Sequence, residues 1–257
     1  RGAIEWLWPR NPRTGLLDMG AGGGKRTILC GTNKQVARWN AKIGAMQEEV
    51  TGVAPTIYHA SNAASLQHGD GVGEDLAAAS LNDEASLFDA ADPTAPLSET
   101  RLRVGDQCLL LLTVDRVAGL VKNATVVVAE MRWHAVVVET QDPNGAPVRH
   151  TLCRQTFTIR LGGHSTGVVI KRKQVPLKLA GAITINKAQG QTLDRAIIDG
   201  TRPFWQHGMC NVALGRLRTG ASAAVFVDYE SSTVGPGGGR VPVLRNVAYP
   251  FLLDVRR

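Results

Sequence analysis

A chain of 257 residues with 44% hydrophobic and 20% charged side chains has the make-up of a globular protein with a sizeable core, which excludes a disordered or fibrous chain. No apolar run approaches the ~18 residues of a membrane span, and no signal peptide is legible. The net charge of +7 is uneven: between Lys42 and Arg101 there is no Lys or Arg but there are ten carboxylates, so setting that −10 aside leaves +17 on the remainder.

Such an excess suits a polyanion such as nucleic acid, and it equally suits a solvated basic surface. Arg1 in place of a starting methionine reads as a fragment or a processed product. Residues 1–26, rich in Trp, Pro, Gly and Arg without a period, read as a lead-in loop or the remnant of a preceding domain. Within them "GAGGGKRT", Gly20 to Thr27, approaches a phosphate-binding P-loop. Met19 stands where the first glycine belongs and Arg26 where Ser or Thr must hold Mg²⁺, so it reads as a glycine-rich entry to a strand.

"TILCG" is that short apolar strand, and "TNKQVARWNAKI" follows as a helix with Val36, Trp39 and Ile43 on one face and Thr32 or Asn33 as its cap. Residues 45–99 are acidic, alanine-rich and poorly periodic, and read as loops with short helical pieces. Leu102–Val114 reads as a strong strand. Short β-like runs follow in "ATVVVAE", "HAVVVET", "RHTLCRQTFTIRL" and "GVVIKRKQV", separated by turn formers such as Asn144-Gly145. From Pro176 the expected order is a helix over "LKLAGAITINKAQ", a strand in "RAIID", a helix over "QHGMCNVALGRL" with Met209, Val212, Ala213 and Leu217 on one face, and a strand in "AAVFVDY". The pattern predicts one α/β domain, 27–114 with 171–230, interrupted by a small barrel at 115–170. In the C-terminal tail, 231–257, "VGPGGGR" reads as a flexible loop, and the last apolar run, "VAYPFLLDV", is expected to pack back. Cys30, Cys108, Cys153 and Cys210 form no spaced pair and the six histidines are scattered, so the expectation is reduced, buried thiols in an intracellular protein and no metal.

"TINKAQGQTLDRAIIDG", Thr184 to Gly200, places a polar, glycine-interrupted turn between two apolar runs, where open α/β sheets gather ligands. Thr184, Asn186 and Lys187 offer a hydroxyl, an amide and a cation suited to a sugar-phosphate backbone, and Gly190 lets main-chain N–H groups approach a phosphate. In "NVALGRLRTG", Arg216 sits on an otherwise apolar helix beside Gly215. An arginine so placed is either buried with an acid or aimed at a ligand anion.

Four ordered blocks, "ILCGTNKQVARWN", "LRVGDQCLLLLTVDRVAGLVKNATVVV", "VPLKLAGAITINKAQGQTLDRAIID" and "FWQHGMCNVALGRLRTG", resemble motif IV, the entry to an inserted SH3-like barrel, motif V and motif VI of Pif1-type superfamily 1B DNA helicases, including those of Helitron transposons. The resemblance covers roughly Thr27 to Asp228. It implies a second RecA-like domain interrupted by an SH3-like barrel, working with a first RecA-like domain in cis or in trans. ATP and Mg²⁺ would lie in the cleft between the two, bound mainly by the first, with single-stranded DNA crossing both. Arg216 is then the arginine finger, Gly190 and Gln191 sit beside the γ-phosphate, and Thr32, Asn33, Thr184, Asn186 and Lys187 face the DNA. Gly215 stands where the family has Ser, which implies a looser helix under the finger, and Asn186 stands for a frequent His. The family further implies a monomer in the nucleus or mitochondrion with roles in genome maintenance, including repair, recombination and telomere maintenance. With no P-loop among its own residues, the chain is expected to hydrolyse no ATP by itself. Two other readings stay open: a nucleic-acid-binding remnant of a transposon helicase that has lost catalysis, and a plain structural α/β domain.

Overall fold

The computed structural model describes residues 2–242 except 14, 16, 20–24, 67–74, 77–88, 90, 91, 93, 143, 161–167, 228–231 and 235–239. In chain order the elements are α1 (Gly2–Leu7), β1 (Arg26–Cys30), α2 (Asn33–Thr51), β2 (Thr56–His59), β3 (Ser61–Leu66), β4 (Asp75–Leu76), β5 (Glu99–Leu102) and β6 (Gln107–Leu110). Then come β7 (Thr125–Met131), β8 (Ala135–Gln141), β9 (Pro147–Cys153), β10 (Gln155–Arg160), β11 (Val168–Gln174), β12 (Leu177–Leu179) and β13 (Ala182–Thr184). A 3-10 turn (Ile185–Ala188), β14 (Arg195–Gly200), α3 (Met209–Leu214), β15 (Ala223–Val227), β16 (Ser232–Val234) and β17 (Arg240–Pro242) complete the described chain. Two compact units result, Arg1–Gly52 with Ala180–Arg257, and Val53–Leu179.

The first unit holds a parallel sheet in the order β13-β1-β14-β15. Its central strands are near-continuous apolar runs, "TILC" and "AIID", because a parallel strand covered on both faces has no wet side. Helix α2 packs on β1 and β13 and turns Trp39, Ile43 and Met46 onto Ile28, Cys30, Ala182 and Ile197. Thr32 caps it with a full capping box, and Gly52, at φ 63°, closes it in the left-handed region, so the helix runs on through residues expected to be loop.

The lead-in is also part of this fold. Helix α1 buries Ile4 and Leu7, and Trp8 is fully buried beside them, all in the same core as Ile28 and Trp39. One turn and a half is too short to display a period, which is why those residues read as loop. The P-loop-like glycines 20–24 lie outside the described residues, and after them Lys25 N–H donates to the Asp194 carboxylate at 2.8 Å.

The expected helix from Pro176 is instead two short strands and the 3-10 turn. Backbone pairing overrides alanine's helix preference here: Ile28 pairs with Ala182 and Cys30 with Thr184. Gly181 explains the small residues, since a Cβ there would lie 2.7 Å from Ile43 Cδ1 and 3.2 Å from Met19 Cε. The helix needs that closeness to reach the sheet.

The second unit is antiparallel, with sheets ordered β12-β6-β7-β8-β9, β10-β11-β3-β4 and β2-β5. The expected strand over Leu102–Val114 is broken into β5 and β6 by a turn at Gly105, whose φ of 90° calls for glycine. Because β6 pairs with β7 and β12, it goes with this unit, which extends well beyond 115–170 on both sides. "IKRKQ" in β11 alternates outward and inward, so Lys171 and Lys173 are exposed while Arg172 is fully buried. Arg172 donates from Nε to Asn62 Oδ1 at 2.8 Å and from Nη1 to the Pro96 carbonyl at 2.9 Å and to the Asp89 carboxylate. Three of the four thiols are buried as expected, but Cys153, at the exposed end of β9, is not. The tail beyond 242, with its apolar run, lies outside the described residues.

Asp106 is 6% exposed and accepts from the Arg103 N–H at 2.7 Å. Burial pushes its pKa up to about 6, and that hydrogen bond only partly opposes it. The folded chain therefore holds this proton over a range in which the unfolded chain, with an aspartate near ~3.9, has released it. Stability must fall as pH rises from about 4 to about 6, by roughly 3 kcal/mol in all. Asp106→Asn keeps the acceptor and removes the charge. Its stability relative to the parent, from urea unfolding at stepped pH, is expected to rise over that interval and level off above it; a difference that does not change with pH contradicts the assignment.

Candidate nucleic-acid and nucleotide-facing site

Every candidate residue lies in the first unit, and the sheet explains how they come together. Cys30, the last residue of β1, is in register with Thr184 at the end of β13 and with Asp199 in β14. The segments that leave these strands, Gly31–Asn33, Thr184–Lys187 and Thr201–Trp205, therefore emerge at one carboxyl edge. Open parallel sheets bind their ligands at that edge.

Thr32 does structural work there. Its Oγ1 accepts the Gln35 N–H at 3.3 Å and contacts Gln35 Oε1 at 3.0 Å, while Oε1 also accepts the Thr32 N–H. Asn33 and Asn186 are exposed, and Thr184 and Lys187 are half-buried. Thr184 begins the 3-10 turn without capping it through its side chain. Buried Ile185 and Ala188 anchor that turn, so the polar positions between and after them face outward in a fixed order.

Beneath the edge, Asp199 is completely buried. Its Oδ2 accepts Trp39 Nε1–H at 2.8 Å and meets Arg38 Nη2 at 3.5 Å, and its Oδ1 accepts Thr201 Oγ1–H at 2.6 Å and Thr201 N–H at 3.1 Å. One carboxylate thus ties α2 to the loop after β14. Burial, and then the Asp199 charge, hold the Cys30 thiol far above its ordinary pKa, so it stays protonated and unreactive.

Gly190, Gln191 and Arg216 are the second group. Gly190 takes φ 79°, and nothing lies within 4 Å of where its Cβ would be, so the turn requires glycine and leaves its backbone open. Gln191 Nε2 donates to the Lys187 carbonyl at 3.0 Å, closing motif V on itself. Arg216 donates from Nε to the Val212 carbonyl at 3.1 Å and from Nη1 to the Gln191 carbonyl at 3.5 Å. No carboxylate pairs with it among the described residues. Arg216 itself lies in the turn just after α3 and not on the helix. A guanidinium has five donors, and the remaining ones keep their capacity for an anion.

Gly215 is less loose than its type implies. It caps the end of α3 with helical angles, φ −67° and ψ −3°, its N–H donates to the Asn211 carbonyl at 2.8 Å, and the next carbonyl, of Arg216, accepts Leu193 N–H at 2.8 Å. The helix expected over residues 206–217 is confined to α3: Met209 and Ala213 are buried as the helical spacing predicts and Val212 is half-buried, but Leu217 lies beyond its end and bridges to Leu193.

Among the described residues no cluster of His, Cys, Asp or Glu could hold a metal, and no helix is long and apolar enough to cross a membrane. Sequence reasoning missed Asp199, Gln35 and Trp205. Asp199 left a signal, an acid inside an apolar strand run and two residues before a threonine, whereas the hydrogen bond of Trp205 to a distant carbonyl left none.

No family model matches the chain. The ATP-dependent DNA helicase PIF1 of Danio rerio is 34% identical over 148 residues, which is 54% of this chain and 21% of that protein. That of Xenopus laevis is 33% identical over 153 residues, 57% of this chain and 22% of its own length. Among solved structures, a Bacteroides Pif1 helicase in complex with ADP-AlF3 and single-stranded DNA superposes with a TM-score of 0.56 at 18% identity, covering 98% of this chain and 48% of that one. Candida albicans Pif1 helicase gives 0.56 at 18% identity, over 80% of this chain and 46% of that one. The chain spans about a fifth of the curated relatives it matches and just under half of the structures. The resemblance to Pif1-type helicases holds in sequence, and the fold is similar to that of the matched part of these Pif1 structures.

Proposed function

We propose, for a chain that sequence and fold relate to Pif1-type DNA helicases, that it is the C-terminal motor half of an ATP-dependent DNA helicase. The first unit is the second RecA-like domain and the strands of the second unit include the inserted SH3-like barrel. The observation that carries this reading is the geometry of Arg216. Its guanidinium is tethered to main-chain carbonyls, one of them in motif V, with no acid partner among the described residues.

The residues fit one side of a nucleotide site. Arg216 supplies charge and a fork of donors for the γ-phosphate, and the unobstructed turn at Gly190 lets a phosphate approach, while the Gln191 N–H and carbonyl are engaged by Ala188 and Arg216. They do not fit the Mg²⁺ side: the described residues offer no cluster of carboxylates and the chain has no P-loop motif. ATP brings the bond whose hydrolysis drives the motor. This chain's part is to stabilise the charge that develops on the transferred phosphoryl and to couple it to DNA through motif V, since Gln191 reaches back to the Lys187 carbonyl. Thr184, Asn186 and Lys187, with Asn33 at the start of α2, are the DNA-facing groups. Thr32 contributes by fixing that helix start.

The test is ATP turnover measured with and without single-stranded DNA, for the chain alone and for the chain joined behind a P-loop-bearing first RecA-like domain. The chain alone is expected to be silent and the joined protein DNA-stimulated. Turnover by the chain alone, or a joined protein indifferent to DNA, overturns the reading.

A further inference from the structure

Trp205 is a large indole left 60% exposed at the carboxyl edge of the parallel sheet. Single exposed apolar side chains are ordinary, so exposure alone means little. What sets this one apart is that it is held. Its Nε1–H donates to the Gly31 carbonyl at 2.9 Å, one residue before the cap of α2. Its neighbour Phe204 is 1% exposed and lies against Gly31, where a Cβ would sit 3.5 Å from Phe204 Cδ1. The buried ring below and the hydrogen bond at the side fix the indole's place while leaving much of its surface in water. By contrast Trp133, 84% exposed in the turn between β7 and β8, meets the His134 ring edge-on and has no comparable hydrogen bond among the described residues.

The surroundings of Trp205 are cationic. Lys34, Arg38 and Arg202 are all exposed on the segments that meet at this edge. The first turn of α2 carries no acid, although an acid there is what the helix dipole favours, and it carries Lys34 instead. Asp199, under this edge, is fully buried with Trp39, Thr201 and, at 3.5 Å, Arg38 on its oxygens, which leaves Lys34 and Arg202 as the exposed cations here that are not drawn to it. A fixed aromatic surface beside cations on a polar edge is the chemistry that binds a nucleobase and its phosphates together.

We propose that Trp205 is a stacking platform for a base of single-stranded DNA, resting on the reading of this edge as a DNA track. Because its only polar atom is engaged by Gly31, the indole offers a ring surface and no hydrogen-bond code. It therefore binds bases with little regard to sequence. The backbone of the same nucleotides is left to the cations and to Asn33 and Thr184.

The test compares a fluorescent oligothymidylate with a strand of equal length and charge made of abasic sites, the two matched at each point of a salt series. The wild-type chain is expected to bind the abasic strand about 5- to 150-fold more weakly, the range for loss of one stacked base. Trp205→Leu should bind oligothymidylate as weakly as the wild type binds the abasic strand, and should hardly distinguish the two, with an unchanged slope against salt because no phosphate contact is lost. Trp205→Phe, which keeps an aromatic face, should recover most of the affinity. It also reports on stacking if the leucine variant fails to fold. If the wild type binds in a salt-dependent way but Trp205→Leu and Trp205→Phe match it on both strands, the platform is refuted while the DNA track stands. If the wild type binds neither strand, both fall together.

Discussion

Arg216→Ala is expected to lower DNA-stimulated ATP turnover by about 10³-fold or more in a protein that supplies the P-loop domain, the range seen when an arginine finger is removed. The fall should appear in kcat, since the finger meets charge that is present mainly in the transition state. Arg216→Lys should recover little, because a lysine keeps the charge but not the fork that can hold the Gln191 carbonyl and a phosphate together. Affinity for single-stranded DNA should change little, as Arg216 belongs to the Gly190–Gln191 group and not to the strand-end group of Asn33 and Thr184. Steady-state hydrolysis alongside oligonucleotide binding checks both. A loss under tenfold, or an equal loss of DNA binding, would falsify the finger assignment.

Asp199→Ala should cost about 3–5 kcal/mol of the first unit's stability, the range for breaking a buried charged network from one side. The carboxylate accepts from Trp39, from both donors of Thr201 and, at 3.5 Å, from Arg38. Its removal leaves the Trp39 indole N–H buried without an acceptor. It also unties α2 from the loop that carries Trp205, so DNA affinity should drop along with stability. Asp199→Asn keeps one acceptor oxygen and should fall between the two. Urea unfolding followed by tryptophan fluorescence reads the effect, and a cost under about 1 kcal/mol, typical of a surface position, would show that the network does not hold the edge together.

The parallel half of the fold was legible because its strands are uniform apolar runs and its first helix carries a cap and a 3.6-residue period. Thr32, Trp39 and Ile43 announced α2. Alanine and glycine between Leu179 and Thr184 misled, because their reason is closeness to Ile43 and Met19, which is a tertiary fact. The lead-in was misread for a related cause: Ile4, Leu7 and Trp8 make sense only against Ile28 and Trp39, more than twenty residues away. At the site, residue types named the candidates and the four ordered blocks named the family the chain resembles, but neither could tell which donors were already engaged. The structure assigns the hydroxyl of Thr32 to the helix cap, and it finds Arg216 without an acid among the described residues. Asp199 and Trp205 became visible only through partners on other segments.

If motif V carries single-stranded DNA, fluorescence anisotropy of a labelled oligonucleotide over a salt series separates wild type from Lys187→Ala: log K is expected to fall linearly with log salt, and the variant's slope is expected to be smaller by about 0.7, one phosphate contact on a single strand, with weaker binding at every salt. Absence of binding at low salt, or affinities and slopes that Lys187→Ala leaves unchanged, would contradict it.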